Sequence, residues 1–273
     1  IGALLASIVF FITSWMFPGE QFPVWGWRVL FFSGLLSAVL GLYIFRNLEE
    51  SPFFKRLQEE KAARKSSAPT ESPLKALFSA GYRNVLLVNL LITFGGGAGY
   101  YLTSGYLPTY LKVINAISNN AAALILMGAS VSAFVSAVTI GILSDQIGRK
   151  KTFLIVGVVA VVTLPFLYIA LGKTTDMTTI VVYALIISFI GNAGYAPVLI
   201  FLNERFPTAL RASGTGLSWN IGFALGGMMP TAVSLASATP AAIPMSLAVA
   251  SVGIFLVYLV GAIIIPETKG QFK

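Results

Sequence analysis

Long stretches without a charged residue constrain this 273-residue chain more than any other feature. Residues 113–144 and 152–172 contain no Asp, Glu, Lys or Arg. About 20 apolar residues in a helix cross the hydrocarbon core of a bilayer. Only 10% of the residues are charged, against roughly 25% in soluble domains. The apolar runs are continuous rather than alternating, which excludes a β-barrel. We therefore predict an all-α, polytopic membrane protein.

The apolar runs predict eight membrane spans. Residues 48–82 separate the first two spans from the other six and include a Ser/Pro-rich stretch typical of a linker. We predict that 1–47 are the last two helices of an N-terminal bundle, 48–82 a central cytoplasmic linker, and 83–273 a complete C-terminal six-helix bundle. Because the chain starts inside an apolar run, we expect it to be a fragment. The predicted spans are about 1–17, 27–47, 84–111, 120–143, 152–171, 179–203, 212–237 and 243–265.

The net charge of +8 reflects membrane orientation rather than nucleic-acid binding. Placing successive loops on alternate sides puts fifteen Lys and Arg residues on one face and three on the other. Such a bias marks the cytoplasmic side, and cations at headgroup depth meet anionic lipids. We predict a multi-pass protein of the cell (inner) membrane, whose loops 48–82, 144–151 and 204–212 and C-terminus are cytoplasmic.

The loop between the fourth and fifth spans is short and basic. Gly148 permits a left-handed turn, and Asp145 is placed to pair with Arg149 or to face a helix N-terminus. With Lys150, these residues are candidates for a latch that forms in one access state and breaks in the other. The charges are also consistent with a simple topology anchor.

A second motif covers residues 203–216, between the sixth and seventh spans. Pro207 stops one helix, and small residues open the next. Glu204 and Arg211 are expected to pair across the turn, level with the first loop.

These two motifs carry a family resemblance. The Asp145–Lys151 loop resembles the D-x-x-G-R-[RK] signature of the major facilitator superfamily. The string from Asn203 to Gly222 is similar to the E-x-F-P-T-x-x-R-x-S-G-x-G-x-x-[YW]-N-x-G pattern of the metabolite:proton symporters. The resemblance implies helices five to twelve of a twelve-helix secondary transporter for a small polar or anionic metabolite. It also implies proton coupling through charged residues of the first helices, which precede Ile1.

Polar side chains within the spans are candidates for a substrate cavity, because polar groups at membrane depth face protein or water. Interhelical hydrogen bonds are the alternative role for each of them. The glycine run 95–97 is expected to loosen the third span beside the cavity. We predict a substrate-lined cavity from Tyr100, Tyr101, Asn192 and Asn220 as a group, with Asn89, Trp219 and Tyr195 as further candidates.

The sequence lacks the residue sets that other functions require. It has no Cys and no His, and no charged residue deep within a span. No metal-ligand cluster, phosphate-binding loop or nucleophile–base pair is recognisable, so we expect no cofactor, no metal and no enzymatic activity. A proton-independent facilitator or sugar porter, and more distantly a non-transporting receptor or scaffold, are the alternatives. We expect a monomer.

Overall fold

A computed structural model describes residues 2–47, 55, 72–79 and 81–270, and this part consists of helices and short connecting segments, without strands. Most of the predicted 48–82 linker lies outside the described residues. In chain order the helices are α1 (Gly2–Met16), α2 (Trp27–Phe32), α3 (Gly34–Asn47), α4 (Pro73–Leu77), α5 (Arg83–Tyr100), α6 (Leu107–Val113), α7 (Asn119–Ile147), α8 (Arg149–Lys173), α9 (Met177–Ala193), α10 (Tyr195–Arg205), α11 (Thr208–Gly227), α12 (Met229–Ala236) and α13 (Ile243–Ile264).

Six helical segments of the described chain are long and apolar enough to cross a membrane. Two of the eight predicted spans differ. The first is a shorter apolar helix, Leu4–Met16. The seventh consists of two helices, α11 and α12, which are separated at Met228. The first turn of α11 contains the charged residue Arg211. The six segments are Phe22–Asn47, Arg83–Val113, Asn119–Ile147, Arg149–Lys173, Met177–Arg205 and Pro240–Ile264.

The chain divides into two compact units. One comprises residues 1–8 and 73–273, and the other comprises residues 9–72. The first unit contains the hydrophobic core, built from α5 to α13. In the second unit, α2 and α3 have no buried residue. The predicted division at residues 48 and 83 remains a prediction.

Tyr258 of α13 is the centre of the core. Its fully buried ring contacts Phe153 edge to face, with centroids 5.8 Å apart. Glycines leave the space that this side chain fills. A Cβ atom on Gly95 or Gly194 would lie 2.6 Å from the Cβ or the hydroxyl oxygen of Tyr258, and one on Gly157 would lie 3.2 Å from its ring. Small residues that admit a neighbouring helix are a common device of membrane bundles.

The pair α5 and α11 packs in the same way. A Cβ on Gly222 would meet the Thr93 side chain, and one on Gly226 would lie 2.5 Å from the backbone nitrogen of Ala98. The expectation that the glycine run 95–97 loosens its helix was wrong, because α5 stays helical through it and uses it for close packing. The irregular, π-helical turn follows at Tyr101–Gly105.

We predict that Gly226→Val destabilises the first unit by about 1–3 kcal/mol, because the new side chain has no space against the α5 backbone. Gly253→Val is the matched control, since nothing lies within 4 Å of a Cβ there. Thermal unfolding in detergent, followed by circular dichroism, measures the difference. Equal losses in both variants would contradict the close α5–α11 packing.

Candidate functional site

Arg149, the first residue of α8, is the centre of a charged junction made of Asp145, Arg149, Glu204 and Glu267. Its side chain is only 7% exposed, and that of Glu204 only 3%. The guanidinium binds Glu204 through two nitrogens, Nη2–Oε1 at 2.9 Å and Nε–Oε2 at 3.2 Å. It also donates from Nη1 to Asp145 at 2.5 Å, and the Asp145 side chain is 62% exposed. Two-pronged bonds to carboxylates fix orientation as well as charge.

Glu267, just beyond α13, binds the backbone at the start of α8. Its carboxylate accepts the N–H groups of Arg149 and Lys150 at 2.8 and 3.2 Å. It also accepts those of Thr268 and Lys269, both at 3.0 Å. Burial alone would raise the pKa of Glu267, but these backbone donors outweigh it and hold the pKa below its ordinary value of 4.5. An acidic side chain is favoured at a helix N-terminus, where N–H groups lack partners.

Gly148 makes the junction possible. Its backbone has φ +99° and ψ 161°, a region that only glycine readily adopts. A Cβ at this position would also collide with the Glu267 carboxylate. Glycine is therefore required at position 148 for two reasons: the backbone conformation there, and the close contact with the Glu267 carboxylate.

The remaining latch candidates are placed less directly. Lys150 donates from Nζ to the carbonyl of Ile263 at 2.7 Å. The expected Glu204–Arg211 pair was wrong: among the described residues, the Glu204 carboxylate binds Arg149 and the hydroxyl of Thr268, the latter at 2.6 Å. Arg211 lies close to the same turn, with Nε 3.4 Å from the carbonyl of Phe206.

Sequence reasoning missed Glu267 and Thr268 as parts of the junction. The available signal was the string Pro266–Gly270, directly after the last apolar run. It places a Pro and a Glu there, just as Glu49, Glu50 and Pro52 follow the second apolar run. Its partners within the junction, Arg149 for Glu267 and Glu204 for Thr268, lie 118 and 64 residues away in the chain, so nothing local identifies them.

Four of the predicted cavity residues form an aromatic cluster with one residue that was not predicted. Tyr195 lies edge to face with Trp219, centroids 5.1 Å apart, and 5.9 Å from Tyr100. Tyr100 is 5.4 Å from Tyr101. The fifth ring, Phe223, stacks on Trp219 at 4.2 Å. All five side chains are half-buried, so the aromatic cluster keeps ring surface available to a ligand.

Asn192 lies in a cavity of about 240 Å³ beside this cluster, lined by apolar residues and by serines. It donates from Nδ2 to the hydroxyl of Ser104 at 2.8 Å and to the carbonyl of Ser188 at 2.7 Å. Tyr100 lines both the cavity and the aromatic cluster. The cavity therefore adjoins the ring surface.

The structure does not bring Asn89 and Asn220 to this cavity. Asn89 is fully buried in α5, and its amide has no partner among the described residues. Asn220 is exposed and donates to the carbonyl of Gly216 in its own helix at 2.8 Å. All three residues are asparagines, so the place of each on its helix, and not its chemistry, decides that only Asn192 lines the cavity.

The sequence profile described as Major Facilitator Superfamily matches residues 1–230. A probable 4-methylmuconolactone transporter of Cupriavidus pinatubonensis is 30% identical, over 98% of this chain and 59% of that protein. The inner membrane metabolite transport protein YhjE of Escherichia coli is 26% identical, over 99% and 61%. A glycine betaine/proline/ectoine/pipecolic acid transporter of Dickeya dadantii, OusA, is 29% identical, over 84% and 46%. The chain thus spans about half to three fifths of these relatives.

The fold is also found in a solved structure. The crystal structure of a D-xylose-proton symporter aligns with a TM-score of 0.64 at 20% identity, over 98% of this chain and 62% of that one. This likeness confirms the predicted fold class, a partial major facilitator fold.

We predict that Glu204→Gln destabilises the protein by about 3–5 kcal/mol, because it removes one partner of a buried ion pair. Asp145→Asn is the matched control, which breaks an exposed bond of the same guanidinium and costs up to about 1 kcal/mol. Urea unfolding in mixed micelles compares the two. A larger loss for Asp145→Asn would contradict the assignment of Glu204 as the main partner.

We also predict a pH-dependent contribution from Glu267. Because its pKa is lower in the folded state, the stabilisation is fully present above the ordinary value of 4.5 and is lost as pH falls through the lowered pKa. The difference in melting temperature between wild type and Glu267→Gln should therefore shrink on acidification below 4.5. A difference that stays constant from neutral pH to acid would contradict it.

Proposed function

Because the chain belongs to the major facilitator superfamily, we propose that it forms the larger part of a secondary active transporter. The protein moves a small polar or anionic metabolite across the cell membrane by alternating access, as a proton-coupled symporter. Its relatives and its fold are those of transporters rather than enzymes.

The charged junction is the observation that carries the proposal. It joins the α7–α8 loop, the end of α10 and the segment after α13 through a buried ion pair and side-chain-to-backbone hydrogen bonds. A transporter needs such contacts to hold one side closed in one state and to release it in the other. We place the junction on the cytoplasmic side, where the excess of Lys and Arg residues predicts it.

The aromatic cluster and the Asn192 cavity supply the wall of the substrate site. Sites in transporters of this kind lie near the membrane midplane, between two related bundles. The cluster and the cavity both belong to the first unit, residues 1–8 and 73–273, and they carry no Asp, Glu, Lys or Arg. The relatives named above include transporters for a lactone and for small zwitterions, which supports a small metabolite as the substrate.

Proton coupling is proposed from the sequence pattern shared with metabolite:proton symporters. The acidic residues of the charged junction lie at helix ends, whereas coupling carboxylates act within the membrane. We place the coupling group in helices that precede this chain in the longer protein. The uncharged wall also fits a proton-independent facilitator, which is the second candidate.

We predict that the full-length protein, reconstituted in liposomes, accumulates its substrate several-fold when an inward proton gradient is imposed. A panel of osmolytes, lactones and carboxylates supplies the candidate substrates. A protonophore should abolish the accumulation but leave counterflow exchange intact. Exchange that ignores pH, with no accumulation under any gradient, would favour the facilitator and overturn the symporter.

A further inference from the structure

We propose that Asn192 is a specificity-determining residue, whose side-chain oxygen binds the N–H-bearing ammonium group of an amino or imino acid. The inference rests on the proposed function and names the substrate class of the same site. It also gives the ligand a direction, with its cationic end toward this bundle.

The hydrogen bonds of Asn192 leave only an acceptor free. A backbone carbonyl can only accept, so the 2.7 Å bond to Ser188 fixes which end of the amide is nitrogen. The second N–H is used by Ser104 at 2.8 Å. No described residue donates to the remaining atom, Oδ1, although the residue lines the cavity. A ligand group that meets Asn192 must therefore be a donor.

The cavity offers no cation to pair with an anion. Its lining residues include no charged side chain. The Ser188 hydroxyl donates to the carbonyl of Ala129 at 2.8 Å, so its hydrogen is used internally. A carboxylate placed here would face the lone pairs of Asn192 without a cation to compensate, and burying an unpaired charge is costly. The cavity therefore disfavours the acidic end of a substrate.

The aromatic cluster selects a cationic donor over a neutral hydroxyl. Tyr100 lines the cavity and is also one of the five rings of the aromatic cluster. The faces of Trp and Tyr rings attract cations within about 6 Å of the centroid. An ammonium group bound to Asn192 would lie beside Tyr100, the ring of the aromatic cluster that lines the cavity.

The size of the cavity sets which part of the ligand enters. At about 240 Å³ it is smaller than the roughly 300–1,000 Å³ of sites that enclose a whole drug-sized ligand. A compact head group fits, and the carboxylate of the same molecule stays at the mouth. The opposite bundle of the transporter would then supply the positively charged group that pairs with the substrate carboxylate.

Two matched sets of ligands test the proposal in the full-length protein by isothermal titration calorimetry. L-Proline and its N,N-dimethyl betaine share the ring, the carboxylate and the positive charge, and they differ in N–H donors. Glycine, sarcosine, N,N-dimethylglycine and glycine betaine remove the donors one methyl at a time. We expect L-proline to bind about tenfold or more tightly than its betaine, because a hydrogen bond to a charged group is lost, and glycine betaine to be the weakest of its set.

Asn192→Leu should lower the affinity for L-proline to that for the betaine, which abolishes the discrimination. Ser136→Ala is the matched control, because this buried hydroxyl joins α7 to α9 through the carbonyl of Phe189 at 2.7 Å and does not line the cavity. It should retain the full discrimination. The wild-type comparison of ligands stands by itself if Asn192→Leu fails to fold.

Equal binding of proline and its betaine, tighter binding of the betaine, or binding of none of these ligands would overturn the inference. Discrimination that survives in a folded Asn192→Leu protein would overturn it too. Gradient-driven uptake of a lactone or simple carboxylate, without binding of amino acids, would do so while leaving the proposed function intact. Tighter binding of L-proline than of its betaine, without gradient-driven uptake, would support the inference and contradict the proposed proton coupling instead.

Discussion

The buried positive charge of Arg149 is the constraint on which the charged junction and the helix ends around it depend. A buried guanidinium without a partner costs several kcal/mol, so the chain must bring carboxylates to it. Glu204 comes from the end of α10 and Asp145 from the last turn of α7. Once these helix ends are fixed, the N–H groups that begin α8 meet the Glu267 carboxylate. The charged junction is therefore assembled around one cation rather than from independent surface pairs.

Much of this organisation could be predicted because it depends on local properties of the sequence. The uncharged runs predicted the long apolar helices, and the spacing of Asp145, Gly148 and Arg149 predicted the turn between α7 and α8. The partner of Glu204 could not be chosen in the same way. Arg211 lies seven residues away and fits a turn, whereas Arg149 lies 55 residues away and is preferred only because the fold places it there. Glu267 escaped prediction for the same reason.

The cavity residues show how far residue type carries a prediction. Tyr100, Tyr101, Tyr195 and Trp219 were predicted to line a cavity; their rings form one cluster, of which only Tyr100 lines the cavity of Asn192. Asn89, Asn192 and Asn220 are chemically identical, yet the amide of Asn89 has no partner among the described residues, Asn192 lines the cavity, and Asn220 is exposed and bonds only its own helix. The difference depends on the rotation of each helix about its axis. At Asn192, Ser188 of the same helix and Ser104 of the π-helical turn accept both amide N–H groups, so only the amide oxygen stays available.

The capping of α8 by Glu267 has a consequence for biosynthesis. Gly148 supplies no side chain to bind the first N–H groups of that helix, and the carboxylate that does so lies 118 residues later in the chain. A ribosome delivers the helix long before its cap. The turn at Gly148 can take its final form only after α13 has inserted and the chain has been made as far as Glu267. Completion of the charged junction thus reports that the whole bundle has been synthesised.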